Sequence, residues 1–269
     1  LALSVVVAGF IWGRMVSELH GKPIAASEAV SAHCVGWLLK YIPGQVGALL
    51  YKIVWGQKQG ISKTNVAVSF LYENIFQQIA PILPAGLLLI LATDWVFVDG
   101  SRKALFAVVG ILGAAGALVA LPSVMRFALE RFAALRGIPP GEPLNVAASL
   151  RYALWFLIPR ALNAVSFALI VASMTPIDGQ TGLALGAIYV LAGSIGIMAI
   201  FVPSGLGVRA GVTAGLAAPL IGTSPAILAA ILARCVATAS DLIIALVAAG
   251  QWPNHLARAE TKPAPQRVS

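Results

Sequence analysis

The segment Tyr41-Ile42-Pro43-Gly44-Gln45-Val46-Gly47 recurs in altered form as Phe201-Val202-Pro203-Ser204-Gly205-Leu206-Gly207. Both copies read aromatic, β-branched, proline, small, any residue, apolar, glycine. Because proline and glycine interrupt helices, each copy predicts a point where the backbone turns or unwinds. We expect the hinge residues of the two copies to be Pro43, Gly44, Gly47, Pro203, Gly205 and Gly207.

The composition of the chain is that of a membrane protein. Of its 269 residues, 59% are hydrophobic and only 10% are charged, and the mean hydropathy is +0.90. An average soluble domain carries about 25% charged residues. We therefore predict an all-α, polytopic integral membrane protein with about 6–8 transmembrane helices. Broken backbone inside a bilayer needs protein or water to satisfy it, so the two Pro/Gly segments predict re-entrant or broken helical hairpins.

The basic residues predict a multi-pass protein of a bacterial or archaeal cytoplasmic membrane. The formal net charge is +8, but the lysines and arginines flank apolar runs, as they do in cytoplasmic loops that contact anionic lipid headgroups. This distribution favours a membrane surface over nucleic acid as the partner. On this basis Lys52, Lys58 and Lys63 are expected on the cytoplasmic side, together with Arg126, Arg131 and Arg136.

No cofactor or metal is expected. Cys34 and Cys235 lack metal-ligand spacing, and their pattern implies neither a disulfide nor zinc. The Gly205-x-Gly207 sequence follows no predicted strand, so it does not indicate a dinucleotide site. The absence of a P-loop from the sequence argues against ATP hydrolysis.

The chain is expected to form one transmembrane domain, residues 1–253, followed by a polar tail, residues 254–269, that we expect to be disordered. Within the domain we predict an internal repeat that relates residues 27–93 to residues 187–252. The evidence is that each Pro/Gly segment is followed by a Gly-x-Ser sequence and then by a helix with one ionisable residue, Glu73 or Arg234. Whether the two halves are parallel or inverted stays open.

Apolar runs and prolines predict the remaining helices. Residues 1–13 are too short to cross a bilayer and are expected to be the end of a first transmembrane helix, followed by a polar turn. A helix over 64–93 should be kinked by Pro81 and Pro84, and one over 146–174 should be interrupted by Pro159. Further spans are predicted at 104–121, 181–202 and 225–252, and an amphipathic surface helix at 123–136.

Two predicted helices carry polar stripes inside apolar sequence. Helical spacing places Ser69, Glu73 and Gln77 on one face, and Arg234, Thr238 and Asp241 on another. An intramembrane charge costs about 2.5–3.5 kcal/mol on insertion scales, so such residues are paired or functional. The stripes could therefore reflect simple neutralisation, with Arg234 paired to Glu73 or to Asp241, or they could line a polar cavity between the two halves.

Cations outnumber carboxylates in and beside the apolar segments, which favours the cavity. The cations are Lys40, Lys52, Arg151, Arg160, Arg209 and Arg234, against Glu73 and Asp241. Arg151 and Lys52 could extend to the membrane interface, but the others lack a partner that an anionic headgroup could supply. We predict that a lipid headgroup binds to Arg234, Arg209, Arg160, Lys40, Glu73 and Asp241, and we predict no catalytic residue.

The chain resembles the transmembrane family typified by the membrane domain of lysylphosphatidylglycerol synthetase/flippase proteins. The resemblance covers roughly residues 27–249 and rests on the first Pro/Gly segment, the Gly60-x-Ser62 loop, Glu73, Pro203 to Arg209, and Arg234. Two positions depart from the family pattern. Ala210 stands where an acidic residue usually follows the Val-Arg pair, and Ser204 stands where glycine is usual. No sequence resembling the soluble aminoacyl-transferase domain is present, so lipid synthesis is not implied.

The resemblance implies a flippase-like membrane lipid translocase that moves a polar lipid between leaflets. The lipid is expected to be anionic, aminoacylated or glycosylated, and a transporter is expected rather than an enzyme. One alternative is a membrane glycosyltransferase that uses a polyprenyl-phosphate donor, for which Asp94 and Asp99 are the candidate loop carboxylates. The other is a non-catalytic membrane partner of a glycosyltransferase or lipid synthase, for which the helix at 123–136 would be the docking site.

Overall fold

The computed structural model describes residues 1–42, 46–93, 122–136, 142–198 and 207–260, and these residues are helical without a strand, as the sequence predicts. The α-helices, in chain order, are α1 (Ala2–His20), α2 (Ala26–Leu38), α3 (Val46–Lys58), α4 (Lys63–Asn74), α5 (Ile82–Ala92), α6 (Pro122–Arg136), α7 (Val146–Trp155), α8 (Leu157–Ala172), α9 (Gly179–Met198), α10 (Val208–Ile221) and α11 (Thr223–Glu260). A 3₁₀ turn, Leu39–Tyr41, extends α2, and a π-helical turn, Ile75–Ile79, follows α4.

The membrane prediction is confirmed. Among the described residues, five helical stretches are long and apolar enough to cross a bilayer: Ala2–His20, Lys63–Ala92, Val146–Ala172, Gly179–Gly196 and Thr223–Gly250. The span predicted at 104–121 lies outside the described residues. The boundary predicted for the first helix is wrong, because α1 continues through Arg14 to His20 and ends at Gly21, whose φ of 73° suits glycine. The apolar run and the supposed polar turn form one helix of spanning length.

Polar side chains define several helix starts. The Ser62 hydroxyl accepts a hydrogen bond from the Asn65 backbone N–H at 3.1 Å and so caps α4. Asn145 caps α7 in the same way. Before α9, the Asp178 carboxylate accepts a hydrogen bond from the Thr181 N–H at 2.7 Å. Hydrogen bonds from the side chain and backbone of Thr181 hold the pKa of this exposed carboxyl below its usual value.

The interruptions predicted at Pro81 and Pro159 occur, whereas Pro84 lies in the first turn of α5 and does not interrupt it. Between α4 and α5 the helix widens into the π turn, where the Ala80 N–H donates to the Ile75 carbonyl, five residues back. Pro81 comes next and has no N–H to continue the ladder. The second interruption lies at Phe156, between α7 and α8, three residues before Pro159. The π turn carries Gln77 and Gln78, and π-helical turns within helices are frequent at functional sites.

Helix α9 is the central helix of the described structure. Two thirds of its spanning window (67%) is buried, against 28% for each of the windows in α7–α8 and α11, whose outer faces expose apolar side chains to the bilayer. It packs against α5, α8 and α10, while α11 packs against α2 and α10. One apolar cluster surrounds Trp12, Tyr72 and Phe76, and another surrounds Phe167 and Tyr189.

Of the predicted hinge residues, Pro43, Gly44, Pro203 and Gly205 lie outside the described residues, whereas Gly47 and Gly207 can be assessed. A Cβ at Gly47 would lie 2.5 Å from Ile42 Cδ1, so this glycine permits close packing of α3 against the end of α2. Gly207 has φ +82°, a conformation that disfavours any side chain. Each segment is followed by a short helix, α3 or α10, and then by a longer helical stretch, Lys63–Ala92 or α11, but the internal repeat stays a prediction.

Two further sequence predictions concern polar segments. Helix α6 covers the predicted amphipathic helix, and it packs Met125 into the Trp12 cluster while Arg126 and Phe127 are exposed. Helix α11 continues to Glu260, past the boundary at residue 253 where the polar tail was predicted to begin. Residues 261–269 lie outside the described part of the chain.

Candidate anion-binding site

A buried ion pair joins α3 to α4. The Lys52 ammonium donates a hydrogen bond to Glu73 Oε2, and both side chains are buried. Glu73 Oε1 accepts a hydrogen bond from the Gln77 amide at 3.3 Å and lies 3.3 Å from His33 Nδ1 on α2. We call His33, Lys52, Glu73 and Gln77 the Glu73 cluster. It connects α2, α3, α4 and the π turn through charge-assisted hydrogen bonds.

Aromatic rings enclose the cation of the Glu73 cluster. Lys52 Nζ lies 4.1 Å from the centroid of the Trp12 ring and 5.5 Å from that of Phe70. The Trp12 indole N–H donates to Ser69 Oγ at 3.2 Å, so this polar stripe residue is satisfied as well. These contacts stabilise a charge that would otherwise be costly to bury.

A second buried carboxylate joins the end of α2 to α11. Asp241 Oδ2 lies 2.7 Å from Lys40 Nζ and accepts a hydrogen bond from the Tyr41 hydroxyl at 2.9 Å. Asp241 Oδ1 accepts a hydrogen bond from the Trp37 indole N–H at 3.0 Å. The Tyr41 oxygen also lies 3.3 Å from Thr238 Oγ1. We call Trp37, Lys40, Tyr41, Thr238 and Asp241 the Asp241 cluster. It ties the residues just before the first Pro/Gly segment to α11.

Three arginines from three helices lie next to these clusters: Arg160 on α8, Arg209 on α10 and Arg234 on α11. We call them the arginine site. Arg160 is buried and donates one hydrogen bond, from Nη2 to Gln78 Oε1 at 2.6 Å. Arg209 stacks on the Tyr189 ring at 4.2 Å, and Arg234 lies over the Tyr41 ring at 5.3 Å. The charge of Arg209 acts on both Arg160 and Lys40, and that of Arg234 acts on Lys40.

The arginine site contains buried donors without acceptors. Arg160 Nε, Arg209 Nε and Arg234 Nη2 are buried and have no hydrogen-bond partner among the residues that the structure describes. None of the three guanidinium groups forms an ion pair with a described carboxylate. Buried polar groups in proteins are almost always hydrogen-bonded, and an unpaired buried charge is costlier still. Among the described residues these donors are therefore left without an acceptor, and an anion is the kind of acceptor that suits a guanidinium group.

Glycines and a helix terminus place Arg209 at the site. A Cβ at position 196 on α9 would lie 2.9 Å from Arg209 Cβ, so Gly196 lets α10 approach closely. The guanidinium carbon lies 3.7 Å from the corresponding Cβ position of Gly193. Arg209 is also in the first turn of α10, where helix N–H groups lack intrahelical acceptors and the helix dipole favours an anion. The geometry thus adds a second source of positive potential to the arginine site.

Two recesses border these groups. One is lined in part by Lys40, Lys52, Glu73 and Gln78, and its volume of about 10 Å³ leaves room for about one water molecule. The other is lined by Tyr189, Gly207, Arg209, Ala210, Thr213, Ala230 and Arg234, and its volume is about 40 Å³. Gln78 borders the first recess and binds Arg160, so it links the Glu73 cluster to the arginine site. Both recesses are too small for a lipid headgroup in this conformation.

The two polar stripes are confirmed, but neither ion pair that was considered as the alternative to a cavity is formed. Ser69, Glu73 and Gln77 face the interior together, and Thr238 and Asp241 contact the same tyrosine that Arg234 covers. Glu73 pairs with Lys52 rather than Arg234, and Asp241 pairs with Lys40 rather than Arg234, because α3 and the end of α2 lie closer to these carboxylates. The prediction of Lys52 as an interfacial cation is also wrong, since it is 2% exposed.

Sequence reasoning missed several interior residues. His33, Trp37 and Gln78 each make a polar contact in the clusters, yet single polar or indole residues in apolar helices carry no distinctive spacing. Lys52 did carry a signal, because it interrupts the apolar run 46–55. Arg151, also considered as an interior cation, is exposed and pairs with Glu18 at 2.5 Å, away from the arginine site.

One known protein family matches the part of the chain that contains the two clusters and the arginine site. Residues 1–245 match the family model described as the lysylphosphatidylglycerol synthase TM region, and the chain belongs to this family. The resemblance read from the sequence is therefore confirmed. The family is a membrane domain, which is compatible with a lipid-related membrane function. No curated protein and no solved structure matches the chain.

Proposed function

We propose that the protein is a flippase-like translocase that admits an anionic lipid headgroup to the arginine site and moves it between leaflets. The observation that carries the proposal is the set of unpaired guanidinium nitrogens contributed by α8, α10 and α11. Arginine is suited to phosphate because its planar donors can engage two oxygens at once. A phosphate bound there would satisfy donors that no described protein group satisfies.

The two ion-paired clusters supply the element that must open in this proposal. The recess beside Arg209 and Arg234 is too small for a headgroup, so at least one neighbouring contact separates when lipid enters. The Lys40–Asp241 pair is suited to this role, because Lys40 is 17% exposed whereas Lys52 is 2% exposed. The less buried pair costs less to separate. The Glu73 cluster would then hold α3 against α4 while the end of α2 moves relative to α11.

The test is reconstitution of the purified chain into liposomes that contain a trace of fluorescent phospholipid, with bleaching of the outer leaflet by a membrane-impermeant reductant. Translocation increases the bleached fraction above the half expected for protein-free liposomes. We expect the wild type to do so and Arg234→Ala to lose most of that activity. Arg126→Ala, which removes an exposed cation on α6, is the matched control and should behave as wild type. Bleaching equal to protein-free liposomes for every phospholipid tested would refute the proposal.

A further inference from the structure

Among the described interior residues, positive charges outnumber negative charges. This excess indicates how much negative charge the ligand carries. The Lys52–Glu73 and Lys40–Asp241 pairs are each neutral, so they leave the charges of Arg160, Arg209 and Arg234 uncompensated. A phosphodiester headgroup brings a single negative charge, and two positive charges would stay unbalanced. An unbalanced charge in a membrane interior is costly. A ligand with more than one negative charge matches the site better.

Among the described residues, no carboxylate forms an ion pair with the arginine site. Asp94 and Asp99 lie outside the described residues. Among the described carboxylates, Glu18 pairs with Arg151 and Asp178 is exposed and caps α9. Ala210, which lines the recess itself, offers only a methyl group. Within the described residues, positive charge is therefore in excess at the arginine site, and an anionic ligand would balance it.

The number of donors leads to the same chemistry. Arg209 and Arg234 line the recess from α10 and α11, Arg160 on α8 lies within electrostatic range of Arg209, and the start of α10 adds backbone N–H groups. A phosphodiester has two non-bridging oxygens, whereas a terminal phosphate has three strong acceptor oxygens and carries about −1.5 to −2 charge near pH 7. A terminal phosphate therefore offers these arginines more acceptor oxygens, and balances more of their charge, than a phosphodiester does.

We infer that the site selects lipids with a dianionic phosphate, either a phosphomonoester or a diphosphate, over lipids with a single phosphodiester. This inference rests on the proposed function, because it names the headgroup class for the same site. A net cationic headgroup is disfavoured, since it would add positive charge to an interior that already has an excess. The selectivity arises from Arg160, Arg209 and Arg234 together. Ala210 carries no charge, so it does not weaken the preference for a dianionic lipid.

The experiment compares two lipids that differ by one methyl group. Phosphatidic acid carries a terminal phosphate, and phosphatidylmethanol of the same acyl chains carries the methyl diester of that phosphate. Binding of each fluorescent lipid to the full chain is measured in neutral-detergent micelles at pH 8 and pH 5.5. At pH 8 we expect phosphatidic acid to bind at least about ten-fold more tightly, because an extra charged hydrogen bond contributes about 1.5–3 kcal/mol. At pH 5.5 the advantage should shrink, since the second ionisation lies near pH 6, and phosphatidylmethanol should be unaffected.

Variants of Ala210 connect any preference to the recess. Ala210→Glu adds a negative charge at the recess and should reduce the preference for phosphatidic acid at pH 8 to about three-fold or less. Ala210→Gln has nearly the same size without the charge and should keep it. Inorganic phosphate at the lipid's concentration should not displace phosphatidic acid, and displacement would overturn the lipid assignment.

The outcomes separate this inference from the proposed function. Equal affinity for the two lipids at pH 8, or a preference that Ala210→Glu leaves unchanged, would overturn the inference. Translocation that depends on Arg234 could still stand in that case. Absence of translocation with a preserved preference for phosphatidic acid would refute the translocase and leave a dianionic lipid-binding site. If Arg126→Ala lowers the affinity for phosphatidic acid, binding depends on surface charge, and the inference would also be overturned.

Discussion

Replacement of either residue of the buried Lys52–Glu73 ion pair is expected to lower the stability of the protein strongly. The effects of the two replacements should not add. Replacing Lys52 with Met keeps the length of the side chain and its contact with Trp12 but removes the ammonium. Glu73 would then keep the Gln77 amide and His33 as its neighbours in a site where both charged side chains are at most 5% exposed. Removal of one partner from a buried ion pair costs about 3–5 kcal/mol. For a chain of this size, that corresponds to a fall in melting temperature of about 6–20 °C.

The assay is thermal unfolding of the purified protein in one detergent, followed by intrinsic fluorescence, for Lys52→Met, Glu73→Gln and the double variant. We expect the melting temperature of the double variant to be well above the value calculated by adding the two single effects. The reason is that the double variant no longer buries an unpaired charge. Lys22→Met, which removes an exposed lysine between α1 and α2, is the matched control. The reasoning would be refuted if Lys52→Met melts within a degree or two of Lys22→Met, or if the two single effects add.

Three smaller changes test individual contacts. Gly207→Ala places a side chain at φ +82° and should cost about 1–2 kcal/mol through backbone strain alone. This cost should appear as a lower melting temperature. An unchanged melting temperature would mean that the backbone at the start of α10 relaxes freely. Ser62→Ala removes the cap of α4 and should cost about 1 kcal/mol, with Ser62→Asp as the variant that should restore the stability. Tyr41→Phe removes the hydroxyl that donates to Asp241 and should cost about 1–3 kcal/mol while leaving the Lys40–Asp241 pair; no change in melting temperature would show that water replaces the hydroxyl.

Much of the fold could be read from the sequence because the bilayer constrains it. Apolar length determines which segments can span, and the prolines at 81 and 159 determine where two of those segments are interrupted. The stripe of Ser69, Glu73 and Gln77 follows from helical periodicity alone. The end of α1 was harder to read, because Arg14 and Glu18 look like a loop in sequence. In the structure they continue the helix.

The candidate site was only partly predictable. The three arginines were identified as interior cations because each lies in or beside an apolar segment, and the structure brings them next to one another. Their role as headgroup ligands stays a prediction. The partners of the carboxylates could not be read, since periodicity gives the face of a helix and not the neighbour that it meets. Lys52, which resembled a cation near a basic loop, lies instead between Trp12 and Glu73.

By itself, the sequence determined a helical membrane protein with two Pro/Gly interruptions, two polar stripes and more interior cations than carboxylates. These properties depend on composition and local spacing, which the bilayer converts into structure. Only the tertiary structure decided which charges neutralise each other. It pairs Glu73 with Lys52 and Asp241 with Lys40, and so leaves Arg160, Arg209 and Arg234 without a described carboxylate. The physical reason is that ion pairs form within about 4 Å, and only the packing of α2, α3, α4 and α11 brings side chains distant in sequence within that distance.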